Sequence, residues 1–124
     1  MNNQLMASHM ATILNTQVDL TWRWKDRDHN MWSPKDMRTS HLFYTLRMIW
    51  NNTLPEHMHV GKVKLYRFGS FYTERYMLQA IIHIYDELIT RNNIEYGHQL
   101  ELDEMRRKIE QYKSPRLSNE RAKS

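Results

Sequence analysis

At 124 residues, with 40% hydrophobic and 11% aromatic side chains and only three Gly and three Pro, the chain has the composition of one folded domain rather than a disordered segment. The absence of Cys excludes disulfides, thiol catalysis and thiolate metal sites, and no apolar run approaches the roughly 20 residues needed to cross a bilayer. A net charge of +4 favours nucleic acid or an acidic protein as partner, but it is well short of the dense basic stripe of dedicated nucleic-acid binders.

Ala7-Ser8-His9-Met10, following Met6, has the look of residues left by adjoining cloning sites. Residues 1–10 are therefore expected to be vector-derived or disordered, residues 11–113 to form a single α+β domain, and residues 114–124 to be a flexible polar tail. Within the domain, Val18, Leu20, Trp22 and Trp24 alternate with Asp19, Thr21, Arg23 and Lys25, the period-two pattern of a strand with one buried face. The polar run from Asp26 to Asn30 suits a turn, and Met31-Trp32 can begin a return strand, so a β-hairpin is expected. Ser33-Pro34 breaks the pattern, because proline removes a ladder donor and restricts the residue before it.

A first helix follows, with Thr39 or Ser40 as its cap and with Leu42, Leu46 and Ile49 on one face, flanked by Phe43 and Trp50. Asn51, Asn52 and Pro55 end it. Between Glu56 and Gly69, Val60, Val63 and Leu65 permit a third short strand with Lys62, Lys64, Tyr66 and Phe68 on its other face. The second helix is expected to be the longest and central, from about Ser70 to Arg91, with Phe71, Leu78, Ile81, Ile82, Tyr85, Leu88 and Ile89 as its principal face. So wide an apolar arc calls for a central position or a second copy of the chain, which makes Met77, Ile81, Ile84 and Leu88 the candidate oligomer interface of a homodimer. The third helix, about His98 to Lys113, carries a narrow stripe of Leu102, Met105, Ile109 and Tyr112. Its acidic residues precede its basic ones, which complements the macrodipole and allows Asp103–Arg107 and Glu104–Lys108 pairs.

The order Trp24-Lys25-Asp26, Asp36-Met37, Thr39-Ser40-His41-Leu42, Thr45-Leu46 and Met48-Ile49, followed by Leu102, Glu104 and Arg106-Arg107, resembles small accessory proteins of tailed bacteriophages and prophages. Those proteins share a tryptophan hairpin, an Asp-Met leading into a Thr-x-His-Leu helix start, and a late helix of Leu-x-x-Glu-x-x-Arg-Arg type. The chain departs from that pattern at Thr45, where many relatives carry Asn, and in the spacing after Glu104. The resemblance implies a source and a fold rather than a reaction, with residence in the cytoplasm of an infected bacterial host.

No catalytic motif, phosphate-cradling glycine loop or metal-ligand cluster at strong spacing is visible, so neither an enzyme nor a cofactor is expected. His41 is the residue to single out: just after the Thr39 or Ser40 cap, and grouped with Asp36 before the helix and Trp24 in the hairpin, it marks a strand–helix junction where an imidazole can be structural or can face a ligand. A general-base role would need a partner carboxylate, for which Asp36 is nearest only in sequence. His57-x-His59 can place two imidazoles on one side of a strand for a divalent metal, although surface histidines in a loop are the simpler reading. Lys62, Lys64, Tyr66, Arg67, Phe68, Phe71 and Tyr72 mix cations with aromatics as single-strand-binding platforms do, and Arg106 and Arg107 would extend that patch. Nine Met residues, among them Met31, Met37, Met48, Met77 and Met105, suit either core filling or an adaptable protein-binding surface. The leading expectation is stoichiometric contact with a host or phage protein; the alternative is a nucleic-acid-binding module.

Overall fold

The computed structural model describes residues 8–112. The chain through Ala7 and the polar tail of residues 114–124 therefore lie outside the described residues. Within them the architecture is α+β: a two-stranded antiparallel hairpin set among helices.

The first element is a short helix, α1 (His9–Leu14), which starts inside the segment expected to lie outside the domain. The Ser8 hydroxyl accepts the Ala11 amide at 3.0 Å, and Met10 is 2% exposed in the core. Asn15 closes the helix in the left-handed conformation at φ 58°, a role its short polar side chain tolerates.

The hairpin is shorter than the alternation predicts. Its strands are β1 (Trp24–Lys25) and β2 (Met31–Trp32), with Trp24 opposite Trp32 and Lys25 opposite Met31. Trp22 and Trp24 are buried as expected, but Leu20 is 67% exposed. The reason is local: the Asp19 carboxylate accepts both the amide and the hydroxyl of Thr21, and the Trp22 amide donates to Asp19 O, so the chain turns where the strand should run.

Helix α2 (Thr39–Thr53) buries Leu42, Phe43, Leu46, Ile49 and Trp50 completely. The expected Thr39 or Ser40 cap does not form. Arg38 occupies the cap position without a side-chain bond, because the Thr39 hydroxyl instead donates to Asn93 and accepts from Arg91. Helix α3 (Glu74–Leu88) packs against α2 and touches α1 and the Pro34–Asp36 turn, so it is central. It has 15 residues, as α2 does, and is therefore not the longest helix. Thr73 caps it by accepting the Tyr76 amide, which leaves Phe71 in the preceding turn, and Ile89 just beyond the end is 59% exposed. Met77, Ile81, Ile84 and Leu88 are all at most 4% exposed in this single chain, so the proposed oligomer face is spent on the protein's own core.

Helix α4 (Tyr96–Gln111) buries Leu102, Met105 and Ile109. The Glu104–Lys108 pair forms at 3.3 Å, whereas Asp103 accepts from Gln99 and Arg106 pairs with Glu110.

No third strand forms between Glu56 and Gly69. A 3-10 turn (Glu56–Met58) leads into an irregular run whose backbone is held by two side-chain amides at the end of α2. Asn51 accepts the Val60 amide and donates to Val60 O and Lys62 O; Asn52 donates to Lys64 O and accepts the Tyr66 amide. Alternate residues are thus bonded as in a ladder, but to side chains instead of a neighbouring strand. The hairpin's edge is treated in the same way: the Tyr76 hydroxyl donates to Arg23 O and accepts the Lys25 amide, and the Tyr72 hydroxyl donates to Lys25 O.

Candidate functional site

These two side-chain-held edges bring the hairpin and residues 66–72 to either side of a groove of about 700 Å³ floored by α2. Trp24, Lys25, Arg27 and His29 line it from the hairpin, His41, Thr45 and Met48 from α2, and Tyr66, Arg67, Phe68, Phe71 and Tyr72 from the third side. Trp24 is buried at the base, while Tyr66 and Phe71 are 45% and 43% exposed. The rings form a continuous series: Tyr66 to Phe68 at 6.2 Å between centroids, Phe68 to Tyr72 at 5.8 Å, and Tyr72 to Phe71 edge-on at 5.1 Å. Lys25 Nζ lies 4.3 Å from the Phe71 centroid, a cation–π contact that stations one positive charge on the rim.

Among the described residues, Asp26 is the only carboxylate lining the groove. Its oxygens accept from the amides of Asp28 and Asn30 and from the Trp32 indole, each at 2.9 Å. Those bonds, the indole's first, hold its carboxyl below the usual carboxylate range, so it stays charged and committed to the turn. Among the described residues, neither Lys25, Arg27 nor Arg67 is in an ion pair, and the same is true of Lys62 and Lys64 nearby. Burial raises the phenol of Tyr72 and pushes that of Tyr76 up to about 12, which keeps both hydroxyls protonated as donors to the hairpin.

Comparison with protein-family models, curated proteins and solved structures finds no match. The site is therefore read from its own geometry.

Of the residues singled out at the strand–helix junction, Trp24 and His41 face the groove, while Asp36 and Thr39 do not line it. Asp36 is exposed in the Pro34–Asp36 turn, and Thr39 is buried beneath Arg91 and Asn93. His41 is exposed. Arg91 instead ties the start of α2 to the Pro34–Asp36 turn: its guanidinium donates to Thr39, Pro34 O and Lys35 O while Glu87 accepts from its Nε at 2.9 Å.

Tyr66, Arg67 and Phe68 join the groove; Lys62 and Lys64 line a smaller neighbouring pocket with Tyr66. Arg106 and Arg107 are exposed on α4 and line neither cavity. His57 and His59 sit in and just after a 3-10 turn, and no group of three metal-ligating side chains is assembled among the described residues.

Sequence reasoning missed the hairpin's contribution of Lys25, Arg27 and His29. Nothing local could reveal it, since the Tyr72–Lys25 bond that closes the groove spans 47 positions.

Proposed function

We propose that this chain acts by stoichiometric binding rather than catalysis, in the phage or prophage setting that its tryptophan hairpin and helix start suggest, and that its ligand is a single-stranded nucleic acid held in the groove. The observation that carries this reading is the pairing of the exposed Tyr66 and Phe71 with cations that have no ion-pair partner among the described residues, beside a carboxylate that is the only one among those residues to line the groove and is already occupied. Bases stack on aromatic faces whatever their identity, and phosphates are neutralised by Lys and Arg. The competing reading, a host or phage protein seated on the apolar arc of α3, loses its surface because that arc is buried within this chain.

Fluorescence anisotropy with a labelled oligothymidylate tests the proposal. Binding at about 50 mM salt that weakens at least tenfold by about 200 mM supports it, since each neutralised phosphate contributes a slope of roughly −0.7 on single strands. Phe71→Ala should weaken binding by about 1–3 kcal/mol, the usual worth of one stacked base. Absence of binding at low salt, or an affinity indifferent to salt, overturns the reading; a bacterial protein retained after nuclease treatment restores the protein-partner alternative.

A further inference from the structure

The groove does not end at Tyr66. A second pocket of about 330 Å³, walled by Tyr44, Arg47, Lys62 and Lys64, shares Thr45, Met48 and Tyr66 with it, so the two cavities abut along one line of residues. We propose that Tyr66 is the stacking post at which a bound single strand passes from the groove into this second pocket, making one track with cations at both ends. This rests on the groove being a single-strand site.

Tyr66 stands at the junction, 45% exposed as a residue, and Lys64 Nζ lies 5.6 Å from its ring centroid. Its position is imposed from behind. Asn52 Oδ1 accepts the Tyr66 amide at 2.7 Å while Asn52 Nδ2 donates to Lys64 O at 3.0 Å, so one side-chain amide sets both the aromatic post and the cation beside it. Asn52 also donates to Met48 O, which ties that amide to the last turns of α2. On the far wall, Arg47 is paired with Glu101 at 2.9 Å, leaving Lys62 and Lys64 as the cations of this pocket with no ion pair among the described residues. A ligand confined to the groove meets only the Lys25–Arg67 end. A longer one passes Tyr66 and reaches Lys62 and Lys64, so affinity should grow with length until both pockets are filled.

The test compares oligothymidylates of about 4 and about 12 nucleotides, a span within known single-strand site sizes, on the full chain at low salt. The longer strand should bind about a hundredfold more tightly, and Lys62→Ala and Lys64→Ala, at residues that line the second pocket and not the groove, should each cut that ratio to about tenfold while leaving the short strand's affinity nearly unchanged, whereas Tyr66→Ala, at the shared wall, should weaken both lengths. Tyr66→Phe, which keeps the ring, should preserve the ratio. Tyr96→Ala, at an exposed residue that lines neither pocket, serves as the control. Binding of both lengths with no gain beyond tenfold, or an equal loss for both lengths in Lys64→Ala, overturns the continuous track and leaves the groove reading standing. Failure of either strand to bind overturns the groove reading and this one with it. Circular dichroism establishes that each variant is folded, as expected for exchanges at the exposed Lys62 and Lys64.

Discussion

A buried glutamine and a half-buried histidine on α3 show how single side chains bear on the stability of this fold. Gln79 is 3% exposed on α3; its Oε1 accepts the Asp19 amide at 2.8 Å and its Nε2 donates to Gln17 O. Gln79→Ala leaves both backbone groups without their partner, so urea unfolding should show a loss of about 2 kcal/mol. His83 stacks on Trp22 at 5.1 Å and 11° between planes, and its Nε2 and the Trp22 Nε1 are buried without a hydrogen-bond partner among the described residues. Burial lowers its pKa below the ordinary 6.5, with the Asp19 backbone bond and carboxylate opposing in part. The unfolded chain then binds a proton more readily than the native one. The contribution of His83 is complete above pH 6.5 and declines as the pH falls from there through its depressed native value. Asp86 acts with the opposite sign: burial raises its pKa above 3.8, so its protonated form suits the fold and its contribution is lost as the pH rises through the raised native value. Denaturant titrations should therefore show wild-type stability falling below pH 6.5, and His83→Phe, which retains a stacked ring, should flatten that fall. A fall of equal slope in His83→Phe would assign it to another group.

At the scale of elements, the recurring device is a helix side chain taking the place of a neighbouring strand. Asn51 is 2% exposed and bonds the amide and carbonyl of Val60 and the carbonyl of Lys62. Asn51→Ala should cost about 2–3 kcal/mol and release the Val60 amide to hydrogen exchange at a rate well above its wild-type one. Gly61 is where this run meets α4. It sits at φ +66°, and a Cβ there would come within 2.5 Å of the Glu101 carboxylate that pairs with Arg47. Gly61→Ala should lower stability by about 1–2 kcal/mol for the left-handed backbone alone, measured by thermal or urea melting. These devices also explain which elements were legible in the sequence. Helices α2 and α4 announce themselves because a 3.6-residue apolar period must face a core wherever that core comes from, and Leu42, Leu46, Ile49, Leu102, Met105 and Ile109 are all buried. The strand expected around Val60 to Leu65 does not form, because its edge is bonded to two asparagines that read, in sequence, only as the end of a helix. The strand expected from Val18 does not begin until Trp24 for a similar reason: the Asp19–Thr21 turn and the Gln79 amide outrank the alternation. Helix α1 was missed because its six residues show no apolar period, although Ser8 and Asn15 are legible as caps in retrospect.

For the molecule as a whole, burial of the α3 arc removes the reason to invoke a second copy, and no helix among the described residues is long and apolar enough to cross a membrane. What remains outward is a basic, aromatic groove assembled from three distant segments, whose parts were visible in the sequence as Trp24, His41, Tyr66, Arg67 and Phe68 but whose assembly was not. Amide and indole NMR spectra of the full chain, recorded while oligothymidylate is added at low salt, test this account most directly. The account predicts shifts concentrated on Lys25, Arg27, Arg67, Phe68 and Phe71 and on the Trp24 indole, with α4 residues such as Tyr96 and Arg107 unmoved. Shifts confined to α4, or a spectrum that does not change, would contradict it.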